Sequence, residues 1–145
     1  MDTKALEKFA QAARRQLTDQ VTARLQLVLH GDSADLRARA EAVAKLKAEI
    51  KATSREAVIE RVAYTWFNRF CALRFMDANR YTPLGIVSPA PGNTQPEILQ
   101  DAKAGPMDPV LLIDAARVLV LLGVRVPWPD PQQEAYRLLV VAACN

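Results

Sequence analysis

The sequence predicts an all-α fold: a helical bundle with an N-terminal antiparallel αα-hairpin, a central buried helix and an irregular Pro/Gly-rich loop. Three observations predict it. Apolar residues recur at spacings of three and four along most of the 145 residues. Capping residues such as Asp2, Thr53, Asp108 and Asp130 stand just ahead of those runs. Four of the nine prolines and two of the five glycines crowd into one stretch, RYTPLGIVSPAPGNTQP (80–96), which no helix can cross.

The first helix is expected over 2–29. Leu6, Ala10, Ala13, Leu17, Val21, Leu25 and Val28 form one stripe, Asp2 or Thr3 caps the start, and the glycine of HGDS (30–33) ends it. A second helix, 34–51, places Leu36, Ala40, Val43, Leu46 or Lys47, and Ile50 on one side. Two amphipathic helices joined by so short a link return on each other, so 1–52 reads as a charged helical hairpin. TSRE (53–56) then fits a capping box, with the Thr53 side chain satisfying an early amide and Glu56 reaching back.

That box opens the central helix, 53–79. Residues 62–81 hold six of the nine aromatics. Ile59, Val62, Ala63, Trp66, Phe70 and Leu73 make a stripe, while Phe67, Cys71, Phe75 and Met76 fill much of the opposite side. A helix apolar on most sides is normally buried, so Trp66, Phe67, Phe70, Leu73 and Phe75 are the expected core. Arg74 and Asp77, three apart, are expected to pair on one face. Arg69 lacks a local carboxylate and needs a partner from elsewhere in the fold, or an exposed position.

Residues 80–107 read as an irregular loop with a short helix over 96–103. The last segment, 108–145, reads as two apolar helices. Asp108 caps the first, Pro109 takes its first position and Gly123 ends it, with Asp114 and Arg117 as an internal pair. Asp130, Pro131 and Gln133 start the second by the same device. It stays apolar to the end without a stop signal, so 1–145 reads as a single helical domain truncated from the N-terminal part of a larger protein.

Charge is unevenly spread. Residues 1–61 carry 12 Lys/Arg and 9 Asp/Glu, which accounts for the whole net charge of +3; residues 62–145 carry 7 of each. A weak basic bias permits contact with nucleic acid without establishing it. No apolar run reaches the roughly 20 residues that span a bilayer, and a span at 62–81 would place Arg69, Arg74 and Asp77 in lipid. The membrane reading therefore fails. The N-terminal residues lack the apolar core of a secretory signal. Cys71 and Cys144 belong to no C-x-x-C or His-containing cluster, which points to free thiols in a reducing cytoplasm.

Catalytic signatures are missing from the sequence. With glycines only at 31, 85, 92, 105 and 123, neither G-x-G-x-x-G nor a P-loop can form. His30, the only histidine, sits beside a helix-ending glycine and reads as a helix C-terminal residue rather than a general base. Glu56 and Glu60, flanked by Arg55 and Arg61, read as a solvated face rather than a metal site. The sequence thus offers no catalytic, cofactor-binding or metal residue. Candidate phosphate contacts are Arg14, Arg15, Arg37, Arg39, Lys45, Lys47 and Lys51, although spacing alone favours a solvated face twofold. The Trp66, Phe67, Phe70 and Phe75 group would suit base stacking, but its helical spacing favours plain core.

VAYTWFNRFCALRFMDANRYTPLGIVSP (62–89), followed closely by TQPEIL (94–99), resembles the N-terminal region of the PglX-type adenine-specific DNA methyltransferases of BREX phage-defence systems. MDTKALEKFAQAARRQL (1–17) is similar to the way those proteins begin. The resemblance covers essentially the whole chain, with 64–77 its most distinctive part. It implies a parent enzyme that binds S-adenosylmethionine in a Rossmann-like domain and methylates the exocyclic amine of a flipped adenine. That family's F-x-G-x-G and N-P-P-Y signatures do not occur: no two glycines stand two apart and no two prolines are adjacent. No catalytic or cofactor residue carries over, and S-adenosylmethionine is implied for the parent alone. The implied partners are the methyltransferase core of the same polypeptide, double-stranded DNA and other BREX proteins. The alternatives are a free-standing helical adaptor for another protein, or a non-catalytic DNA-binding module.

Overall fold

The computed structural model of the chain describes residues 2–105, 118, 122 and 130–144. Among them are six helices and no strand, as an all-α bundle requires. They are α1 (Thr3–His30), α2 (Ala34–Ala38), α3 (Ala40–Ala52), α4 (Arg55–Ala78), α5 (Glu97–Ala104) and α6 (Pro131–Ala143). The chain divides into two compact units, Met1–Asn68 and Arg69–Asn145, with the boundary inside α4.

In the first unit, the Asp2 carboxylate accepts from the Lys4 and Ala5 amides and starts α1. The helix ends where the Gly31 amide returns to the Leu27 carbonyl. Gly31 is extended rather than left-handed (φ −78°); glycine is needed because a Cβ would meet the Leu27 oxygen at 2.4 Å and Leu36 Cδ1 at 2.9 Å. α3 packs back against α1, giving the expected hairpin. Its second arm departs from expectation. The single helix expected over 34–51 is broken at Arg39 (φ −110°, ψ 29°), whose amide bonds the Leu36 carbonyl three residues back instead of continuing the ladder. Before the break, Ser33 caps α2 through the Leu36 amide, which sets Leu36 against Gly31.

The capping box expected over Thr53–Glu56 is not formed; a simple N-cap stands one residue later. Ser54 Oγ accepts from the Ala57 amide and opens α4, whereas the Thr53 hydroxyl donates to the Glu49 carbonyl and closes α3. Two hydroxyls in a row divide the two helix ends between them.

α4 is not buried all round. Val58, Ile59, Ala63 and Leu73 are buried, and Trp66 and Phe67 are half-buried. The expected core membership of Phe70 and Phe75 is corrected: they are 36% and 59% exposed. Ile59, Val62, Ala63, Trp66 and Leu73 of the first stripe are covered wholly or in part, whereas Phe70 in that stripe and Cys71 and Phe75 on the opposite side face outward. The sequence supplies more apolar faces on this helix than the described chain covers.

The second unit has its own core, formed by Ile98, Leu99, Ala102, Val118, Ala135 and Leu139, with Tyr136 and Leu138 packed against it. Leu139 and Val118 are fully buried. α5 appears as the short helix expected at 96–103, and Asp130 caps α6 through the Gln133 amide with Pro131 at its first position. Of the helix expected over 108–123, only Val118 and Leu122 are described, both helical; Asp108, Pro109, Gly123 and the Asp114–Arg117 pair lie outside the described residues.

Candidate functional surfaces

In the first unit the seven predicted phosphate contacts lie on three helices and the break between two of them. Several have other occupations. Arg14 stacks on Phe67, its guanidinium carbon 5.2 Å from the ring centre. Arg37 pairs with Asp32 at 3.1 Å, Arg39 with Asp35 at 3.7 Å and Lys45 with Glu41 at 2.8 Å. Exposed pairs of this kind are weak, about 0.5 kcal/mol, so they damp the positive field locally without removing the cations. Arg15, Lys47 and Lys51 have no ion pair among the described residues. Lys47 and Lys51 are one helical turn apart on α3. An open groove of about 290 Å³ runs between α1 and α3, floored by Val28, Leu29, Leu36 and Val43 with Arg37 and Lys47 on its edge. Arg61 meets Glu49, tying α4 to α3.

In the second unit the polar residues of α4 work on the loop that follows. The expected Arg74–Asp77 pair does not form, because the loop offers each a nearer partner. The Asp77 carboxylate accepts from the Ile86 and Val87 amides at 3.0 and 2.9 Å, and Arg74 donates to the Ser88 hydroxyl at 2.7 Å. Burial pushes Asp77 upward, but the hydrogen bonds from Ile86, Val87 and Ser88 prevail and hold it below the usual carboxylate value. Glu97 accepts from the Gly85 amide, and Tyr136 donates to the Ile86 carbonyl. Arg69 is half-buried. Tyr81 stacks edge-on against Phe75 with ring centres 5.9 Å apart, and both rings are exposed.

Neither unit shows a built catalytic centre among the described residues. His30 is exposed and donates through Nδ1 to the Gln26 carbonyl, so it serves the end of α1. Glu56 and Glu60 are exposed. Among the described residues no group of three or more His, Cys, Asp or Glu stands close enough to hold a metal. No described helix is long and apolar enough to cross a membrane.

No protein-family model and no solved structure matches the chain significantly. One relative does: the chain is 34% identical, over a 133-residue alignment taking in 70% of its length, to the adenine-specific methyltransferase PglX of Lacticaseibacillus casei (strain Zhang). The match fits an N-terminal domain of a PglX-type protein. It bears out the family resemblance read from residues 62–99. The chain spans 11% of the length of that relative.

The second unit also carries a polar surface that no sequence motif marks. Lys103 on α5 donates to the side-chain oxygens of Gln95 at 2.7 Å and Gln132 at 3.0 Å. Gln95 donates to Gln132, Asn93 to Gln100, and Gln100 back to the Gln95 carbonyl. Loop, α5 and α6 each supply residues. A hint was available in the sequence: Lys103 is the only lysine after residue 61, and Gln95 and Gln100 precede it closely. No period or motif joins it to Gln132, 29 residues on.

Proposed function

We propose that this chain is the helical N-terminal domain of an S-adenosylmethionine-dependent DNA adenine methyltransferase acting in a cytoplasmic BREX phage-defence system. In this reading it braces the methyltransferase core of the same polypeptide and contacts duplex phosphates. The single observation that supports it most is the identity to a protein whose own name states adenine-specific methylation. The excess of Lys/Arg confined to residues 1–61, with Arg15, Lys47 and Lys51 outside any described ion pair, suits the DNA contact. The chain's own residues supply helices and cations, while cofactor and catalysis belong to the rest of the parent.

Two measurements test this. Reading the gene beyond Asn145 should reveal a continuing frame with F-x-G-x-G and N-P-P-Y; a natural stop there would end the methyltransferase reading. Fluorescence anisotropy with labelled duplex DNA should show binding that weakens with salt. A second reading, an adaptor for another protein, draws on the exposed Leu6 and Phe9 of α1 and on Phe75 and Tyr81. It predicts no DNA binding at low salt.

A further inference from the structure

We infer that the Lys103–carboxamide cluster of the second unit is a contact site for the phosphate backbone of duplex DNA. The inference rests on the proposed reading of the chain as part of a DNA methyltransferase, and it locates a contact outside the basic first unit.

Hydrogen-bond accounting carries the argument. An ammonium has three donors; Lys103 gives two of them to neutral carboxamide oxygens. Its positive charge therefore meets no carboxylate within the cluster. Three carboxylates on or capping α5 and α6 are engaged: Glu97 with the Gly85 amide, Asp130 with the Gln133 amide and Glu134 with Arg137. Asp101 lies two residues from Lys103 on α5, a spacing that turns it to another side of the helix.

The carboxamides are turned by the same contacts. Gln132 Oε1 accepts from both Lys103 and Gln95, so the cluster uses the oxygen of this carboxamide and leaves its nitrogen free to donate. That nitrogen has no acceptor among the described residues. One donor each of Lys103, Asn93 and Gln95 likewise has no acceptor among the described residues. Lys103 and Gln132 are exposed. The outward side thus offers N–H groups around a fixed cation, the arrangement an anion with several oxygens accepts. Lys, Asn and Gln are among the side chains that commonly bond DNA phosphates. A lysine held in place also loses less freedom on binding than a solvated one.

The test is anisotropy of the full 145-residue chain with a labelled duplex, across a salt series, for the wild type and Lys103→Gln, Lys103→Arg, Gln132→Ala and the double charge reversal Lys47→Glu/Lys51→Glu. Thermal melting of each variant serves as the folding check. Lys103→Gln should weaken binding several-fold on every duplex sequence and lower the salt slope by about 0.9, the release expected from one phosphate contact. Lys103→Arg should restore the slope. A slope unchanged in folded Lys103→Gln, with binding lost in the double reversal, overturns this site and leaves the DNA-contacting domain standing. A slope lowered in both variants supports both surfaces. Absence of wild-type binding at low salt overturns the site and the DNA contact together, while the gene-frame result still judges the methyltransferase reading separately.

Discussion

The Tyr136 hydroxyl of α6 donates to the Ile86 carbonyl of the irregular loop at 3.1 Å, joining positions 50 residues apart. Ile86 is simultaneously held from the other side, through its amide, by Asp77. One buried loop residue thus has both backbone groups satisfied by side chains from two helices. Removing the hydroxyl in Tyr136→Phe should cost about 1 kcal/mol in denaturant unfolding, because the half-buried carbonyl loses its partner while the ring keeps its packing. Burial, and then the Asp77 charge, raise the Tyr136 pKa above 10. A group raised on folding gives stability below its unfolded value that is lost as pH rises past it, so stability should decline above about pH 10 in the wild type and less in Tyr136→Phe.

Asp77 carries the opposite dependence. Its folded pKa is depressed, so its contribution is present above the unfolded value of about 3.9 and is lost as pH falls through the folded one. Asp77→Ala should cost about 2 kcal/mol at neutral pH by leaving two loop amides without an acceptor. Asp77→Asn keeps one acceptor oxygen, should cost less, and should flatten the stability profile below about pH 4. Identical acid unfolding of wild type and Asp77→Asn would remove this account.

The corrected burial of α4 makes a paired prediction. Leu73→Ala, at a buried site, should destabilise by about 3 kcal/mol through the cavity it leaves. Phe75→Ser, at an exposed one, should stay within about 1 kcal/mol of wild type in chemical denaturation. Half-buried Trp66→Ala should lie nearer the first. Equal losses at 73 and 75 would mean that the outward stripe is covered in solution.

Ser54 and Thr53 separate the two helix ends. Ser54→Ala removes the N-cap of α4 and should cost about 1 kcal/mol by thermal melting. Thr53→Ala, which deletes only a hydroxyl bonded to a carbonyl at the exposed end of α3, should cost less. The reverse order would reinstate the capping box at Thr53.

Contacts within one helical turn were the legible part. Asp2 and Asp130 cap where the sequence says, because a cap reaches only two or three residues ahead. Helical periodicity likewise located α1, α4 and α6. It misjudged α4 because apolar spacing states which residues share a face and not how many faces the neighbours cover. The break at Arg39 left no sign, since Ala, Glu, Leu and Lys around it all favour helix. Helical spacing points Asp77 to Arg74, whereas the donors to its carboxylate lie nine and ten residues on in a loop with no period. The Lys103 cluster was hidden for the same reason. Its members come from three segments and share only the space that folding gives them.

The anchoring of residues 80–96 bears on how the chain meets a protease. Its prolines, glycines and small polar residues give it the look of a hinge that would be nicked first. Yet Gly85, Ile86, Val87 and Ser88 are each gripped by a side chain from a helix, and the Pro89–Pro96 bridge pins the base of the exposed tip. A cleavage enzyme needs several consecutive residues drawn out straight, which here means releasing Asp77, Glu97 and Tyr136 together. The stretch with the composition of a linker is thereby a clasp, and trimming the domain at residue 79 would discard what α4 is built to hold.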